Sequence, residues 1–193
     1  LRLGGGDALE LLDGCGVTAR GAGSRVEGKR VGVVVEEVFR APAPLVEVSV
    51  FQALIKGKAM DFAVQKLSEM GVRRIVPIRT RHSEVRLSSA EARSKCEKWR
   101  QSASETLKQC GYPWRTQIED VTTLGEAGAH WVSQFHAHFV SDLRPHCVRL
   151  RLGGATRWET VDPPLKFGLW TGPEGDWSVQ ELEALGALGA HSV

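Results

Sequence analysis

The sequence predicts an α/β domain with a mostly parallel sheet, preceded by a small β unit. Residues 1–44 contain β-branched runs and turn-forming segments but no helical period. Ala41-Pro42-Ala43-Pro44 then interrupts this pattern in the manner of a short, stiff linker. From Leu45 onward, strand-like and helix-like segments alternate, which is the arrangement that builds parallel sheets. We therefore expect two domains, residues 1–44 and residues 45–193.

The composition is that of a globular protein. The 193 residues carry a net charge of +2 and are 42% hydrophobic, and no apolar run is long enough to cross a bilayer. The four cysteines have the spacing of neither metal ligands nor a secreted disulfide framework, and they are Cys15, Cys96, Cys110 and Cys147. We expect reduced thiols, a cytoplasmic location, no membrane partner and no metal.

The N-terminal unit is predicted to contain short strands, as in a fragment of a β-barrel. Turn-forming residues occur at Gly4–Asp7 and at Asp13–Gly16. The run Arg30–Phe39 is rich in valine and predicts a buried strand.

Between residues 45 and 78 the pattern changes from strand to helix and back. Leu45–Phe51 and Val72–Ile78 are the strand candidates. The helix between them is predicted from apolar residues at helical spacing, namely Met60, Ala63, Val64, Leu67 and Met70. Gly71 follows at the position where a left-handed helix cap belongs.

A second helix is predicted to begin at a capping box formed by Ser88 and Glu91. Gly111 and Pro113 end it. Its apolar face is predicted to contain Ala92, Cys96, Trp99, Ala103, Leu107 and Cys110.

Residues 114–165 carry weaker signals. Ile118–Val121 and Phe135–Val140 are candidates for short strands. His136 and His138 would face the same side of the second strand, but no third ligand supports a metal site. We therefore interpret them as surface or core histidines.

The last predicted unit is a strand, a loop and a helix. Lys166–Thr171 favours a strand, and Ser178 with Glu181 forms a capping box before a leucine-rich helix, which contains Leu182, Leu185 and Leu188. The loop Gly172–Trp177 would follow the carboxyl end of its strand, where open α/β sheets bind ligands. Its glycines permit a close approach of the backbone to a ligand. From the residues alone, a plain turn is still the better interpretation.

Three common kinds of site are excluded. No G-x-G-x-x-G follows a strand, no P-loop motif is present, and no Ser, His and Asp set surrounds a nucleophile elbow. We therefore expect neither a conventional dinucleotide site, nor a P-loop site, nor an α/β-hydrolase site in this chain.

Basic residues cluster between residues 56 and 86. The stretch from residue 73 contains five arginines opposed only by Glu84, and these are Arg73, Arg74, Arg79, Arg81 and Arg86. Lys56, Lys58 and Lys66 lie just upstream. A solvated basic face is the ordinary interpretation, and a nucleic-acid-binding surface is the functional alternative.

Three segments carry a family resemblance. Gln52–Val72 is lysine-rich and ends in a Q-K-x-x-E-x-G-V pattern, and Ile75–Ser83 is a strand that ends in a polar R-x-S turn. Thr171–Ser178 with Glu181 is similar to a G-P-E-G-G-F-S-x-x-E loop. In order and spacing, these segments resemble the ribosomal small-subunit RNA uracil-N3 methyltransferase family of the SPOUT superfamily. Leu1-Arg2-Leu3 with Gly6-Asp7 resembles the exit from the small PUA-like β-barrel of that family.

The resemblance implies a fold and an activity. The fold would be a SPOUT-type, mostly parallel sheet with a C-terminal trefoil knot, preceded by a PUA-like β-barrel. The activity would be transfer of a methyl group from S-adenosyl-L-methionine to N3 of a uridine in the ribosomal RNA of the small subunit, by a homodimer. Two alternatives stay open, namely another SPOUT methyltransferase that acts on transfer RNA and a non-catalytic RNA-binding module.

The resemblance also implies site residues. The cofactor would be bound by Thr171, Gly172, Pro173, Glu174 and Gly175. Arg81 is the catalytic candidate, because a cation beside O2 or O4 would stabilise the uridinate, and a phosphate contact is its alternative role. His82 could be a base, but an exposed spectator histidine is the better interpretation. RNA contacts are expected from Lys56, Lys58, Lys66 and Arg81.

The chain departs from the family pattern at the loop and at both ends. Asp176 stands where the family has a second glycine, and Trp177 stands where phenylalanine is common. The chain begins without methionine, and it ends about where an S-L-G-x-x-I-L-R-x-E-T-A segment would begin. We therefore expect an incomplete knot segment and an incomplete cofactor pocket in these 193 residues, which by themselves should not methylate RNA.

Overall fold

The computed structural model of the protein describes residues 4–28, 30–144 and 161–193. Leu1-Arg2-Leu3 and Cys147, which figured in the sequence analysis, lie outside the described residues. The N-terminal part forms an antiparallel sheet of three strands in the order β1-β2-β3. These strands are β1 (Ala8–Leu12), β2 (Val17–Glu27) and β3 (Arg30–Arg40).

The prediction of a buried strand at Arg30–Phe39 is correct for the strand and wrong for its burial. β2 and β3 have 11 residues each and pair through ten residues of each strand, but Val34 is 59% exposed and Val38 is 60% exposed. The valine run specified the extended backbone, because β-branched side chains favour it wherever the strand lies. Burial needs a second layer, and none covers these valines within the described part of the chain.

The rest of the chain alternates strands and helices and builds a second sheet. Its elements in order are β4 (Val46–Ala53), α1 (Gly57–Glu69), β5 (Arg74–Arg79), α2 (Ser89–Cys110), β6 (Gln117–Ile118), β7 (Thr122–Thr123), α3 (Leu124–Trp131), β8 (Ala137–Val140), β9 (Leu165–Thr171), α4 (Val179–Ala187) and β10 (His191–Ser192). The strand order is β10-β8-β9-β4-β5-β6, and β7 also pairs with β5. Every pairing in this sheet is parallel, so the predicted α/β fold with a mostly parallel sheet is confirmed.

The predicted helix boundaries are explained by local capping. α1 ends at Met70, and Gly71 follows with φ +74°, which lets the N–H groups of Gly71 and Val72 bond back to Ser68 and Leu67. α2 begins at the predicted capping box of Ser88 and Glu91. The placement of Cys110 on the apolar face of α2 is wrong, because its side chain is exposed at the end of that helix. Met70, just after α1, is also 78% exposed.

The sequence analysis missed the short strand β7 and also α3 and β10. α3 begins at a capping box of Thr123 and Glu126, a Thr-x-x-Glu signal that the sequence displays. β10 is two residues long and pairs with β8, and nothing in its own residues distinguishes so short a strand from a loop. Among the described residues, no helix is long and apolar enough to span a membrane.

A hydrophobic core lies on each face of the parallel sheet. On one face, Phe51 stacks on Trp170 with ring centroids 3.8 Å apart, and both side chains are fully buried. On the other face, α1 and α2 cover the sheet around Met60, Ile75 and Trp99. Each buried aromatic ring removes a large apolar area from water, so these two clusters hold the strands that carry the site.

The two sheets meet at a turn. The Gly16 N–H donates to the carbonyl of Pro113 at 3.0 Å, and the Arg115 N–H donates to the carbonyl of Gly14 at 2.9 Å. Gly16 has φ +96°, and a Cβ there would come within 2.5 Å of the Trp114 ring, so only glycine fits. The glycines of the predicted turn at Asp13–Gly16 therefore serve this contact.

Candidate cofactor-binding site

The predicted ligand loop lies at the carboxyl edge of the parallel sheet. Because all strand pairings are parallel, the last residues of β4, β5, β8 and β9 meet at one edge. After β4 the chain adds β5 on one side, and β9 and β8 later fill the other side, so the strand order reverses at β4. Ligands of open α/β sheets bind in the crevice at such a reversal. The loop Gly172–Trp177 leaves β9 at this place.

A tight turn shapes the loop. The Asp176 N–H donates to the carbonyl of Pro173 at 3.0 Å, and Asp176 has φ +58°. Among the described residues it is the one non-glycine with a positive φ. The side chain that replaces the family's second glycine therefore keeps the left-handed backbone that glycine favours, which Asp tolerates better than most residues.

The two glycines of the loop make room for side chains of this chain. A Cβ on Gly172 would lie 3.0 Å from Nε1 of Trp177, and a Cβ on Gly175 would lie 3.2 Å from Cβ of His82. Trp177 is buried, and its Nε1–H donates to the carbonyl of Ser141 at 2.9 Å, just after β8. The glycines therefore leave room for packing within the loop, and their close approach to a ligand stays a prediction.

Glu174 ties the loop to the end of β4. Its Oε1 accepts a hydrogen bond from the backbone N–H of Lys56 at 3.1 Å. Hydrogen bonds from its own backbone N–H and from that of Lys56 hold the pKa of the Glu174 carboxyl below its ordinary value. The Lys56 ammonium pairs with Glu84, and that hydrogen bond raises the pKa of Lys56.

The segment after β5 reaches the start of α4. The backbone N–H of Arg81 donates to Oε1 of Glu181 at 2.8 Å, and its guanidinium Nη1 donates to Oε1 of Gln180 at 3.3 Å. Nδ1 of His82 lies 3.2 Å from the carbonyl oxygen of Gly175 and 3.1 Å from that of Asp176. The turn Arg81–His82 is therefore held against the loop from both sides.

Two buried hydroxyls fix the same turn, and the sequence analysis did not identify them. The Ser83 Oγ donates to the carbonyl of Leu54 at 2.5 Å, and the Thr80 Oγ1 donates to the Ser83 Oγ at 3.2 Å. Both side chains are buried at the carboxyl edge. A Thr and a Ser three residues apart, just after a predicted strand, is the sequence signal that could have indicated them.

The predicted RNA-contacting residues do not all lie together. Lys56 and Arg81 flank the loop, and Lys58 is exposed in the first turn of α1. Lys66 lies in the last turn of α1, roughly 13 Å along the helix axis from its start. Its ammonium pairs with Glu69 at 2.7 Å. The structure therefore brings Lys56, Lys58 and Arg81 to the carboxyl edge, and it leaves Lys66 at the other end of the helix.

The histidines of β8 have separate roles. His138 is buried, and its Nδ1 accepts from the Trp170 Nε1–H at 3.1 Å, while its Nε2 lies 3.0 Å from the carbonyl of Leu188. His136 is exposed, and its Nδ1 accepts from the Lys166 N–H at 2.9 Å. No group of three or more His, Cys, Asp or Glu side chains converges as metal ligands would, within the part of the chain that the structure describes.

Solved structures of other proteins share this fold. One is Lpg2936 from Legionella pneumophila, which contains the bound cofactor SAM and matches with a TM-score of 0.83 at 23% identity over 99% of this chain and 75% of that chain. Another is ribosomal RNA small subunit methyltransferase E from Neisseria gonorrhoeae, bound to S-adenosyl methionine, with a TM-score of 0.83 at 21% identity over 100% of this chain and 76% of that chain. At this level of identity the likeness establishes the fold.

Membership of a family rests on the sequence itself. The family model of the RNA methyltransferase domain matches residues 41–193, which include β4 to β10 and the loop at the carboxyl edge. This match begins at the linker after β3 and spans more than half of the chain. The resemblance to RNA methyltransferases drawn from the three segments is confirmed, and the chain belongs to the RNA methyltransferase domain family.

Proposed function

We propose that this protein transfers a methyl group from S-adenosyl-L-methionine to N3 of a uridine in the ribosomal RNA of the small subunit. One observation supports the proposal most directly. The turn at Arg81–His82 is hydrogen-bonded through His82 to the loop at Gly172–Trp177, more than 90 residues away in sequence, at the edge where the strand order reverses. Both relatives described above were solved with the cofactor bound, and one is named for small-subunit ribosomal RNA.

The cofactor would be held by Thr171, Gly172, Pro173, Glu174 and Gly175. The fit rests on the hydrogen-bond donors of the loop. The N–H groups of Gly172 and Gly175 make no hydrogen bond to another described residue, so they are available to acceptors on a bound molecule. When bound, S-adenosylmethionine supplies a methyl group that its sulfonium already activates, so the protein chiefly orients the reactants.

Arg81 would act on the uracil ring. Uracil N3 carries a proton at neutral pH, and the anion that remains after its loss needs a positive charge near O2 or O4. The Arg81 side chain is exposed, and one amide oxygen is the partner of its guanidinium among the described residues. That leaves donors on the guanidinium for the uridinate, and a contact with a phosphate is the alternative use of the same group.

RNA would approach over the lysines at the start of α1. Lys56 and Lys58 lie beside the loop, and Lys66 extends the basic face along the same helix. Each phosphate that a cation neutralises releases counterions, so binding should weaken as salt rises. Residues 1–44 would belong to an RNA-binding domain of PUA-like type, and residues 45–193 would belong to the SPOUT methyltransferase domain.

We also propose that the protein is a homodimer in the cytoplasm. Pairing through the α/β domain would complete the site, as the resemblance to knotted methyltransferases implies. Sedimentation of the full-length protein tests this, and a monomer at working concentration would contradict the proposal.

A methylation assay tests the reaction. Full-length protein would be incubated with labelled S-adenosylmethionine and separate pools of small-subunit ribosomal RNA, large-subunit ribosomal RNA and transfer RNA. We expect 3-methyluridine in the first pool. Label in transfer RNA, at another atom, or in no pool despite bound RNA would favour one of the rival functions.

A pair of glycine variants tests where the cofactor binds. Gly172→Ala adds a Cβ 3.0 Å from Trp177, which should displace the loop and weaken cofactor binding in calorimetry at least tenfold. Gly186→Ala is the matched control, because a Cβ at Gly186 meets no atom within 4 Å and the residue lies within α4. Equal cofactor affinity in both variants would contradict the assignment of the loop.

A further inference from the structure

The geometry around His82 fixes the position of its proton. Nδ1 lies 3.2 Å and 3.1 Å from the carbonyl oxygens of Gly175 and Asp176. A carbonyl oxygen only accepts hydrogen bonds, so Nδ1 must carry the hydrogen and donate. In the neutral ring, Nε2 is then the nitrogen with the lone pair.

The lone pair of Nε2 is available to an incoming molecule. His82 is exposed, and none of the residues in the described ranges hydrogen-bonds to its Nε2. The ring is anchored to the loop at Gly175–Asp176 through Nδ1, and Arg81 is its neighbour in sequence. The same turn therefore carries a proton acceptor and a cation at the carboxyl edge.

We propose that Nε2 of His82 accepts the N3 proton of the target uridine. This inference rests on the proposed uracil-N3 function and names the base for it. As the N3–H bond breaks, its electron pair forms the new bond from N3 to the methyl carbon. The bond between the methyl carbon and sulfur breaks at the same time and leaves its electron pair on sulfur, which becomes a neutral thioether. The proton moves to Nε2, and the resulting imidazolium later returns it to water. Nδ1–H keeps its bonds to the two carbonyls throughout, so the ring does not need to turn.

The charges around the ring suit this role. Three carboxylates near the ring already have partners. Glu174 accepts a hydrogen bond from the backbone N–H of Lys56, and Glu181 accepts one from the backbone N–H of Arg81. Glu84 forms a salt bridge with the Lys56 ammonium. Among the described residues, the charged groups on the segments that hold the ring are Arg81 and Glu84 in its own segment, Glu174 and Asp176 in the loop, Glu181 in α4, and Lys56 before α1. Within the described ranges, none of these groups hydrogen-bonds to Nε2 of His82, so that nitrogen stays open to the uridine.

The competing interpretation is that His82 only pins the loop, and two substitutions separate the two roles. His82→Asn keeps a donor near the position of Nδ1 and removes Nε2, so it should preserve the loop and lose the base. His82→Ala removes both. His130→Asn is the matched control, because His130 is an exposed histidine on α3, outside the carboxyl-edge site.

The first measurement needs no cofactor. In ¹⁵N-labelled, ligand-free protein at alkaline pH, the His82 imidazole should show a protonated Nδ1 and an unprotonated Nε2. The opposite tautomer would overturn the inference. Thermal unfolding should give nearly the same midpoint for His82→Asn as for the parent protein, and a lower midpoint for His82→Ala.

The second measurement is the pH profile of methylation under saturating conditions. We expect His82→Asn to lower turnover about 10²-fold or more and to change the shape of the pH profile of kcat. RNA with 5-fluorouridine at the target should partly restore the variant, because the fluorine makes N3–H more acidic. If the parent protein makes 3-methyluridine and His82→Asn has an unchanged profile, the inference fails and the proposed function stands. If the methyl group is found on another atom, the proposed function fails first.

Discussion

Oε1 of Glu181 accepts a hydrogen bond from the backbone N–H of Arg81 at 2.8 Å, across 100 residues of sequence. The other oxygen of the same carboxylate accepts from the N–H and the hydroxyl of Ser178, closing the capping box of α4. One side chain thus starts a helix and fixes the turn that carries Arg81 and His82. The link makes the geometry of the site depend on the fold of α4.

Substitution of Glu181 should therefore cost more than the loss of a capping box. Glu91 is the matched control, because it closes a similar box with Ser88 at the start of α2 and has no distant partner among the described residues. We expect Glu181→Ala to lose about 1 kcal/mol more than Glu91→Ala in urea unfolding, because it also removes the bond to Arg81. Equal losses would show that the bond to Arg81 contributes nothing measurable. Amide exchange at Arg81 should also speed up in Glu181→Ala alone.

Arg81→Ala should lower turnover more than cofactor affinity. A charge aimed at the developing uridinate acts in the transition state, so its loss appears in kcat. Arg79→Ala is the control, since Arg79 is exposed at the end of β5, two residues away. Calorimetry with S-adenosylmethionine and steady-state kinetics separate the two quantities. Weak cofactor binding with normal turnover at saturation would reverse the assignment.

The left-handed backbone of Asp176 predicts an ordered series of stabilities. Asp176→Gly should stabilise the protein by up to about 1 kcal/mol, because glycine has no Cβ to clash at φ +58°. Asp176→Asn should be nearly neutral, since Asn also tolerates this conformation. Asp176→Val should destabilise, because a β-branched side chain fits it worst. Urea unfolding ranks the four proteins, and a valine variant as stable as the glycine variant would contradict the backbone assignment.

The buried histidine His138 predicts a loss of stability in acid. Burial, above all, lowers the pKa of its imidazole from the ordinary 6.5. Since the unfolded state then binds a proton more readily than the folded state, stability is complete above pH 6.5 and falls as the pH drops through the lowered pKa. Protonation would also place a hydrogen on Nδ1, which accepts from Trp170 in the folded protein.

His138→Leu separates this contribution from other acid effects. We expect it to flatten the decline of unfolding free energy below pH 6.5 and to cost about 1–3 kcal/mol at pH 8, since the buried Trp170 N–H loses its acceptor. His136→Leu is the exposed control on the same segment. An unchanged acid slope in the His138 variant would rule out His138 as its source.

Much of the α/β domain could be predicted from local sequence. The capping boxes at Ser88–Glu91 and Ser178–Glu181 and the left-handed Gly71 mark helix ends with residues close together in the chain. The three segments of the family resemblance also indicated the right family, because they lie within the matched residues 41–193. The capping boxes and the Gly71 cap depend on backbone hydrogen bonds within one turn, and residues close together in the sequence determine those bonds.

The tertiary structure alone decided the contacts that make the site. The bonds from Lys56 to Glu174 and from Arg81 to Glu181 join residues more than 90 positions apart. The contact between Nδ1 of His82 and the carbonyl of Gly175, which sets the tautomer of His82, also joins residues more than 90 positions apart. No periodicity in the sequence records which strand ends meet, because that follows from the order of strands in the sheet. Burial is decided in the same way, since the valines of β3 form a strand by their own preference but need a second layer to leave water.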